Sequence, residues 1–126
     1  MKLNETLKGL ICEVASIDTI IDAIKNKKIC IIYYDGDEPG GKGLRQIEPV
    51  CLGVSKAGNK VLRAWDEEGA SHRGYLGTRP LPGWRMFRLD RIKTFTVLDE
   101  RFTEPKPKFN PNGDKDMIKI YTLASF

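Results

Sequence analysis

The stretch at residues 84–98 constrains the fold of this chain most, because it alternates apolar and polar residues in two short runs. The alternating apolar positions are Phe87, Leu89, Phe95 and Val97. A period of two predicts β-strands, since successive side chains of a strand point to opposite faces of a sheet. The pair at residues 90–91 would form the bend between the two strands. The sequence therefore predicts two consecutive short strands that contribute to a hydrophobic core.

Arginine side chains are interleaved with this apolar pattern. The longer segment at residues 73–91 contains one acid, Asp90, and five arginines, Arg73, Arg79, Arg85, Arg88 and Arg91. A guanidinium group presents paired donors that match a phosphate or a carboxylate. The chain has a formal net charge of +4, and this local basic patch favours an anionic partner such as nucleic acid. A solvated surface with ordinary ion pairs is the alternative.

The length and composition are those of one globular domain with one core. The chain has 126 residues, of which 40% are hydrophobic and 30% charged. The sequence has no apolar run near the roughly 20 residues of a membrane helix. The N-terminus lacks the basic region, apolar run and cleavage site of an export signal, so we expect a cytoplasmic protein.

The cysteines, Cys12, Cys30 and Cys51, are widely spaced, and the chain has a single histidine. This pattern argues against a zinc site and against a disulfide framework. Buried free thiols are the simplest interpretation, because free cysteine is among the most buried residue types. We expect no metal and no cofactor.

Two helices are predicted near the N-terminus. A short helix starting near Asn4 is weakened by a glycine, whereas Ser16 is a good N-cap for a helix with an isoleucine stripe. The stripe consists of Ile17, Ile20, Ile21 and Ile24. It is typical of a face that packs on a sheet, and a helix that binds a partner is the other interpretation.

Three further strands follow. Residues 29–34 form an apolar run that predicts a buried strand, and residues 35–43 form a glycine-rich loop without the spacing of a phosphate-binding loop. Residues 44–54 predict a long strand, with Pro49 at an edge or bulge, and residues 61–65 predict the returning strand of a hairpin.

A long connection and a proline-rich tail complete the chain. Residues 67–83 contain several glycines and prolines, and long loops of this kind often bind ligands. Donors and a ring for such binding are available at Ser71, His72, Arg73 and Tyr75. Residues 117–123 are apolar enough for a last strand, in this chain's sheet or a partner's, or for a docked tail.

The chain resembles the WYL domain family between about residue 17 and residue 102. Four pieces carry the resemblance in the family's order: a helix entering a strand, residues 45–49, the hairpin at residues 58–65, and residues 85–92. The last piece is the most specific, and it contains Arg85, Arg88 and Arg91. The family's naming tripeptide, Trp-Tyr-Leu, is replaced by Lys60-Val61-Leu62.

The resemblance implies a mainly β fold: a small Sm-like or SH3-like five-stranded barrel with an N-terminal helix. Residues 1–16 would be a lead-in, residues 17–102 the barrel domain, and residues 103–126 a proline-rich linker with a terminal strand or docked tail. Most members carry a helix-turn-helix domain ahead of this module, and the residues before residue 17 are too few to hold one. The family implies ligand sensing and regulation of transcription, defence systems or nucleic-acid enzymes.

The leading hypothesis is a non-catalytic regulatory domain that binds an anionic ligand, single-stranded nucleic acid or a nucleotide. The expected ligand contacts are Arg85, Arg88, Arg91, Arg45, Tyr34, Arg63, Arg73 and His72. By strand parity Arg88 points outward, whereas Arg85 lies at the open end of the barrel or is buried and paired. Trp65, Tyr75 and Trp84 would stack bases if they are exposed.

Two other functions compete with this hypothesis. The alternative is a protein-interaction or oligomerisation module that uses the barrel edge and the C-terminal tail. A small hydrolase using His72 with Asp66 or Glu67 is less favoured, because the sequence offers no nucleophile at a recognisable spacing from this histidine.

Overall fold

A computed structural model describes residues 16–36, 42–69 and 83–126 of the chain. Within these residues the protein is mainly β, with one helix and an open antiparallel sheet of six strands. The elements are α1 (Ile17–Lys25), β1 (Lys28–Asp35), β2 (Lys42–Ser55), β3 (Lys60–Gly69), β4 (Gly83–Arg88), a 3-10 turn (Leu89–Arg91), β5 (Ile92–Arg101) and β6 (Met117–Leu123). The predictions at Asn4, Cys12, His72, Arg73 and Tyr75 lie outside the described residues.

Helix α1 begins at its predicted cap. The Ser16 Oγ accepts a hydrogen bond from the backbone N–H of Thr19 at 3.0 Å, which satisfies a donor that the first turn leaves open. Ile20, Ala23 and Ile24 are buried, and the helix packs on β1, β2 and β6. The prediction that the isoleucine stripe faces a sheet is confirmed.

Strand β2 is the centre of the sheet, whose order is β4-β3-β2-β1-β5. Along one side it pairs with β3. Along its other side the first half pairs with β1, and the last part, Cys51 to Ser55, pairs with β6. The register between β2 and β3 shifts next to Pro49, as predicted for a proline that cannot donate to the ladder. Of the alternatives for residues 117–123, the structure has a strand in the chain's own sheet.

Strand β3 is longer than predicted, which corrects the interpretation of residues 67–69 as loop. It continues to Gly69 and pairs there with Arg45 of β2. The acidic residues Asp66 and Glu67 disfavour a strand by propensity, but the partner strand and the burial of Asp66 outweigh that preference. A second correction concerns Val97, which is 39% exposed and is not a core residue.

Strands β4 and β5 lie at opposite ends of the strand order but are joined by a three-residue 3-10 turn. A link of this length spans at most about 14 Å. The sheet must therefore curve until its first and last strands approach each other. We call this place, residues 88–92, the β4–β5 corner.

The core lies between α1 and the curved sheet. Its members are mainly aliphatic, including Ile32, Ile47, Leu52, Leu62, Phe87 and Ile92. Cys30 and Cys51 are buried free thiols, as predicted, and burial raises the pKa of Cys30 to about 12 and that of Cys51 to about 11. Among the described residues we find no helix long and apolar enough to span a membrane.

Candidate functional site

The β4–β5 corner carries two arginines at the surface. The Arg88 side chain is 41% exposed, and its Nε and Nη2 donate to the two carboxylate oxygens of Asp90 at 3.1 Å and 2.7 Å. The Arg91 guanidinium donates from Nη1 to the backbone carbonyl of Asp35 at 3.1 Å. This bond ties the turn to the end of β1, so both guanidinium groups are held in defined positions.

Tyr34 packs against the inner side of the β4–β5 corner. Its hydroxyl accepts a hydrogen bond from the backbone N–H of Arg88 at 3.0 Å, and its ring meets Phe87 edge-on at 4.9 Å between centroids. Burial raises the pKa of the Tyr34 hydroxyl, while the bond from Arg88 and the charge of Arg91 oppose that rise. Tyr34 therefore positions the backbone that carries Arg88.

A buried ion pair lies behind these rings. The Arg45 Nη1 donates to the Asp66 Oδ2 at 2.7 Å, and the two residues are 2% and 0% exposed. The Arg45 guanidinium also lies 5.9 Å from the Tyr34 ring centroid and 5.8 Å from that of Phe87, within cation–π range. The pair links β2 to β3 and supports the aromatic layer under the corner.

Arg85 belongs to the same buried region. The sequence predicted it either at the open end of the barrel or buried and paired, and the structure has it buried. The residue is 8% exposed, and its Nη1 donates to the backbone carbonyl of Trp84 at 2.8 Å. Burial raises the pKa of Asp66, and the positive charges of Arg45 and Arg85 oppose that rise. The region thus brings two guanidinium groups close to one carboxylate.

Arg63 lies at a different place, on the side of the sheet covered by the C-terminal segment (residues 103–126). It donates to Asp114 at 2.6 Å and to Asp116 at 3.0 Å. Burial by itself would raise the pKa of Asp114, but the hydrogen bonds from Arg63 and from the N–H of Asp116 outweigh it and hold the pKa below its usual value. Arg63 thus fastens the C-terminal segment to β3.

The two tryptophans also face the C-terminal segment. Trp65 and Trp84 are half-buried, and their rings meet edge-on at 5.3 Å. The Trp84 Nε1 donates to the carbonyl of Pro107 at 2.6 Å. The predicted stacking of bases on these rings stays a prediction.

The structure therefore brings together five of the eight predicted site residues, namely Tyr34, Arg45, Arg85, Arg88 and Arg91, around one end of the sheet. Arg63 is separate from them, and His72 and Arg73 lie outside the described residues.

Sequence reasoning missed the role of Asp66 as the partner of Arg45. A signal was present, because Asp66 continues the buried row of Leu62 and Ala64 on β3 at a period of two. A charged residue on an inward-facing row needs a partner. The partner itself, on another strand, had no signal of its own.

A helix against a curved antiparallel sheet, with arginines at the turn between β4 and β5, agrees with the WYL domain that the sequence resembles. The family model described as WYL domain matches residues 15–97, and the chain belongs to this family. A similar solved structure is Proteasome accessory factor B/C (PafBC) of Arthrobacter aurescens, with 28% identity and a TM-score of 0.55. The match covers 75% of this chain and 13% of that chain. None of the curated proteins matches.

Proposed function

We propose that this domain is a non-catalytic regulatory module that binds an anionic ligand, single-stranded nucleic acid or a nucleotide, at the β4–β5 corner. WYL domains are generally regulatory ligand-sensing domains. The neighbour PafBC is named an accessory factor, which supports a regulatory role, although this chain spans 13% of its length. The chemistry of the corner supports an anionic ligand.

The observation that carries the proposal is the geometry of Arg88. Its guanidinium donates to both carboxylate oxygens of Asp90, whose side chain is 63% exposed. An exposed ion pair of this kind contributes at most about 1 kcal/mol, so a phosphate can replace the carboxylate at small cost. Asp90 thus occupies the place in which a phosphate of the ligand would be held by paired donors.

The neighbouring groups extend this grip. Arg91 lies three residues further on, so a second phosphate or a sugar edge would meet further donors there. Arg85, at 8% exposure, adds positive charge from behind the corner. Arg45 and Tyr34 act by holding the backbone and the rings below the corner. Direct ligand contacts of Arg63, Arg73 and His72 remain hypotheses.

The curvature of the sheet supports the barrel that the resemblance implies. The short link between β4 and β5 brings the ends of the five-strand path together, as an Sm-like or SH3-like barrel requires. In such a barrel the corner is a rim, where a ligand approaches without entering the core.

The test is fluorescence anisotropy with a labelled single-stranded oligonucleotide across a range of salt concentrations, with a mononucleotide as competitor. The Arg88→Ala and Arg91→Ala variants should each weaken binding, and the salt slope should fall by about 0.7 for each phosphate that the variant no longer neutralises. Asp90→Asn should bind more tightly than the wild type, because it removes one internal competitor for Arg88.

The matched control is Arg101→Ala, which removes one positive charge from an exposed position at the far end of β5. It should leave the affinity nearly unchanged. If Arg88→Ala and Arg91→Ala behave like Arg101→Ala, or if the wild type binds no oligonucleotide and no nucleotide, the proposal is refuted.

A second candidate function, protein interaction or oligomerisation, is favoured by one observation. Strand β6 carries exposed apolar side chains, with Ile118 at 66% and Ile120 at 39% exposure. Apolar residues on such a strand are typical of surfaces that associate. Light scattering tests this function. It would be favoured if the wild type forms concentration-dependent oligomers, Ile118→Lys does not, and the wild type binds no oligonucleotide.

A further inference from the structure

A cavity separates the C-terminal segment from the side of the sheet that carries Arg63 and Trp84. Its volume is about 330 Å³, and it lies between β2, β3 and β4 on one side and residues 108–116 on the other. This volume is within the range of cavities that hold small molecules. Its outer wall lies beyond residues 15–97, the part of the chain that the family shares.

The floor and one wall of the cavity are apolar. Val50, Cys51 and Leu123 form part of the lining, and the rings of Trp84 and Phe109 contribute to its sides. The Trp84 ring is fixed in orientation by its hydrogen bond to Pro107 and by the edge of Trp65. Fixed aromatic rings around a small volume favour a flat ring as ligand, through offset or edge-to-face packing.

The charged groups at the mouth favour an anion. Arg63 holds both Asp114 and Asp116 in ion pairs, so the two carboxylates of the lining are engaged. Lys108 and Lys115 also line the mouth, are exposed, and form no ion pair within the described part of the chain. With three positive and two negative side chains, the mouth has a net positive charge.

We propose that this cavity is a second ligand site, for a small molecule with one aromatic ring and one anionic group. The ring enters between Trp84 and Phe109, and the carboxylate or phosphate stays at the mouth beside Lys108 and Lys115. The site is distinct from the β4–β5 corner, because it is built largely by the C-terminal segment and shares no residue with the corner.

The experiment uses three probes of nearly equal size and different charge: phenylacetate, 2-phenylethanol and phenethylamine. The protein is the full chain with Trp65→Phe, in which Trp84 is the remaining tryptophan. The side-chain indole N–H resonance of Trp84 is followed by NMR during each titration. Phenylacetate should shift this resonance and bind most tightly, and phenethylamine should bind most weakly.

Two variants separate the ring contact from the charge contact. Leu123→Trp, which narrows the cavity and whose added indole N–H is assigned separately, should abolish the shift of the Trp84 resonance for all three probes. The double variant Lys108→Gln with Lys115→Gln should lower the affinity for phenylacetate by about fivefold, because exposed charge contacts are modest. Its affinity for 2-phenylethanol should be unchanged. Lys93→Gln, an exposed lysine on β5, is the matched control and should change nothing.

If phenylacetate does not shift the Trp84 resonance, the proposal is overturned. Equal affinity for the three probes overturns the assignment of an anion, as does a lysine double variant that binds phenylacetate like the wild type. Binding that survives Leu123→Trp, in a protein whose spectrum shows it folded, places the probe elsewhere and also overturns it. Oligonucleotide binding at the corner is measured in parallel and is expected to be unaffected by phenylacetate.

Discussion

Replacing Asp66 by asparagine removes the negative half of the buried ion pair while nearly keeping its shape. The Asp66 carboxylate is fully buried and receives the Arg45 Nη1 at 2.7 Å, and Arg45 is 2% exposed. In the variant the Arg45 guanidinium stays buried and loses this carboxylate. Loss of one partner of a buried pair costs about 3–5 kcal/mol. For a domain whose total stability is about 5–15 kcal/mol, this is a large fraction.

Urea denaturation followed by tryptophan fluorescence measures the effect. With a urea slope of about 1–3 kcal/mol per M, the midpoint should fall by more than about 1 M. The matched control is Asp90→Asn, which removes an exposed partner of an arginine and should cost less than about 1 kcal/mol.

The double variant Arg45→Met with Asp66→Leu gives a further check. Well-packed apolar side chains of similar volume can replace a buried ion pair without loss of stability, so the double variant should be more stable than Asp66→Asn. If Asp66→Asn costs no more than Asp90→Asn, the ion pair does not stabilise the junction of β2 and β3, contrary to this prediction.

Three other substitutions test the C-terminal side of the sheet. The pKa of Asp114 is lowered in the folded state, so its contribution to stability is present above about pH 4 and is lost as pH falls through the folded pKa. Asp114→Asn should therefore reduce the fall of the urea midpoint at acidic pH. Burial raises the pKa of Glu48, the Glu67 carboxylate adds to this and Lys106 opposes it, so the contribution of Glu48 is present at low pH and is lost as pH rises through the folded pKa. Glu48→Gln should therefore reduce the fall in Tm between about pH 4 and pH 7, and an unchanged profile would contradict the assignment. In Gly53→Ala the new Cβ would collide with the backbone oxygen of Lys119 on β6, and the expected loss is about 1–3 kcal/mol in urea denaturation; a stability equal to wild type would show that β6 does not lie against this residue.

The local elements of this fold follow from the sequence because their signals are local. Ser16 and the isoleucine spacing determine α1, and the turn ending at Asn59 determines the hairpin of β2 and β3. The alternation around Phe87 also predicted β4, with the chain bending after it. In each case a few adjacent residues carry both the pattern and the reason for it.

The features that the sequence did not predict depend on contacts between distant residues. The extension of β3 through Asp66 depends on Arg45, which lies 21 residues earlier. The role of Arg63 depends on Asp114, which lies 51 residues later, so its fastening to the C-terminal segment had no local signal. The candidate site was predicted as far as its arginines, whereas the carboxylates that engage them were identified by the structure.

Strand β6 lies outside the family match but belongs to the same sheet, so the match and the sheet end at different residues. The family match ends at residue 97, yet the edge of β2 from Cys51 to Ser55 is completed by a strand twenty residues further on. Backbone amides of both strands should therefore exchange hydrogen for deuterium at a common rate, because opening one strand exposes the other. We therefore expect the cooperative unfolding unit to include β6 and to be longer than the part of the chain that the family model matches.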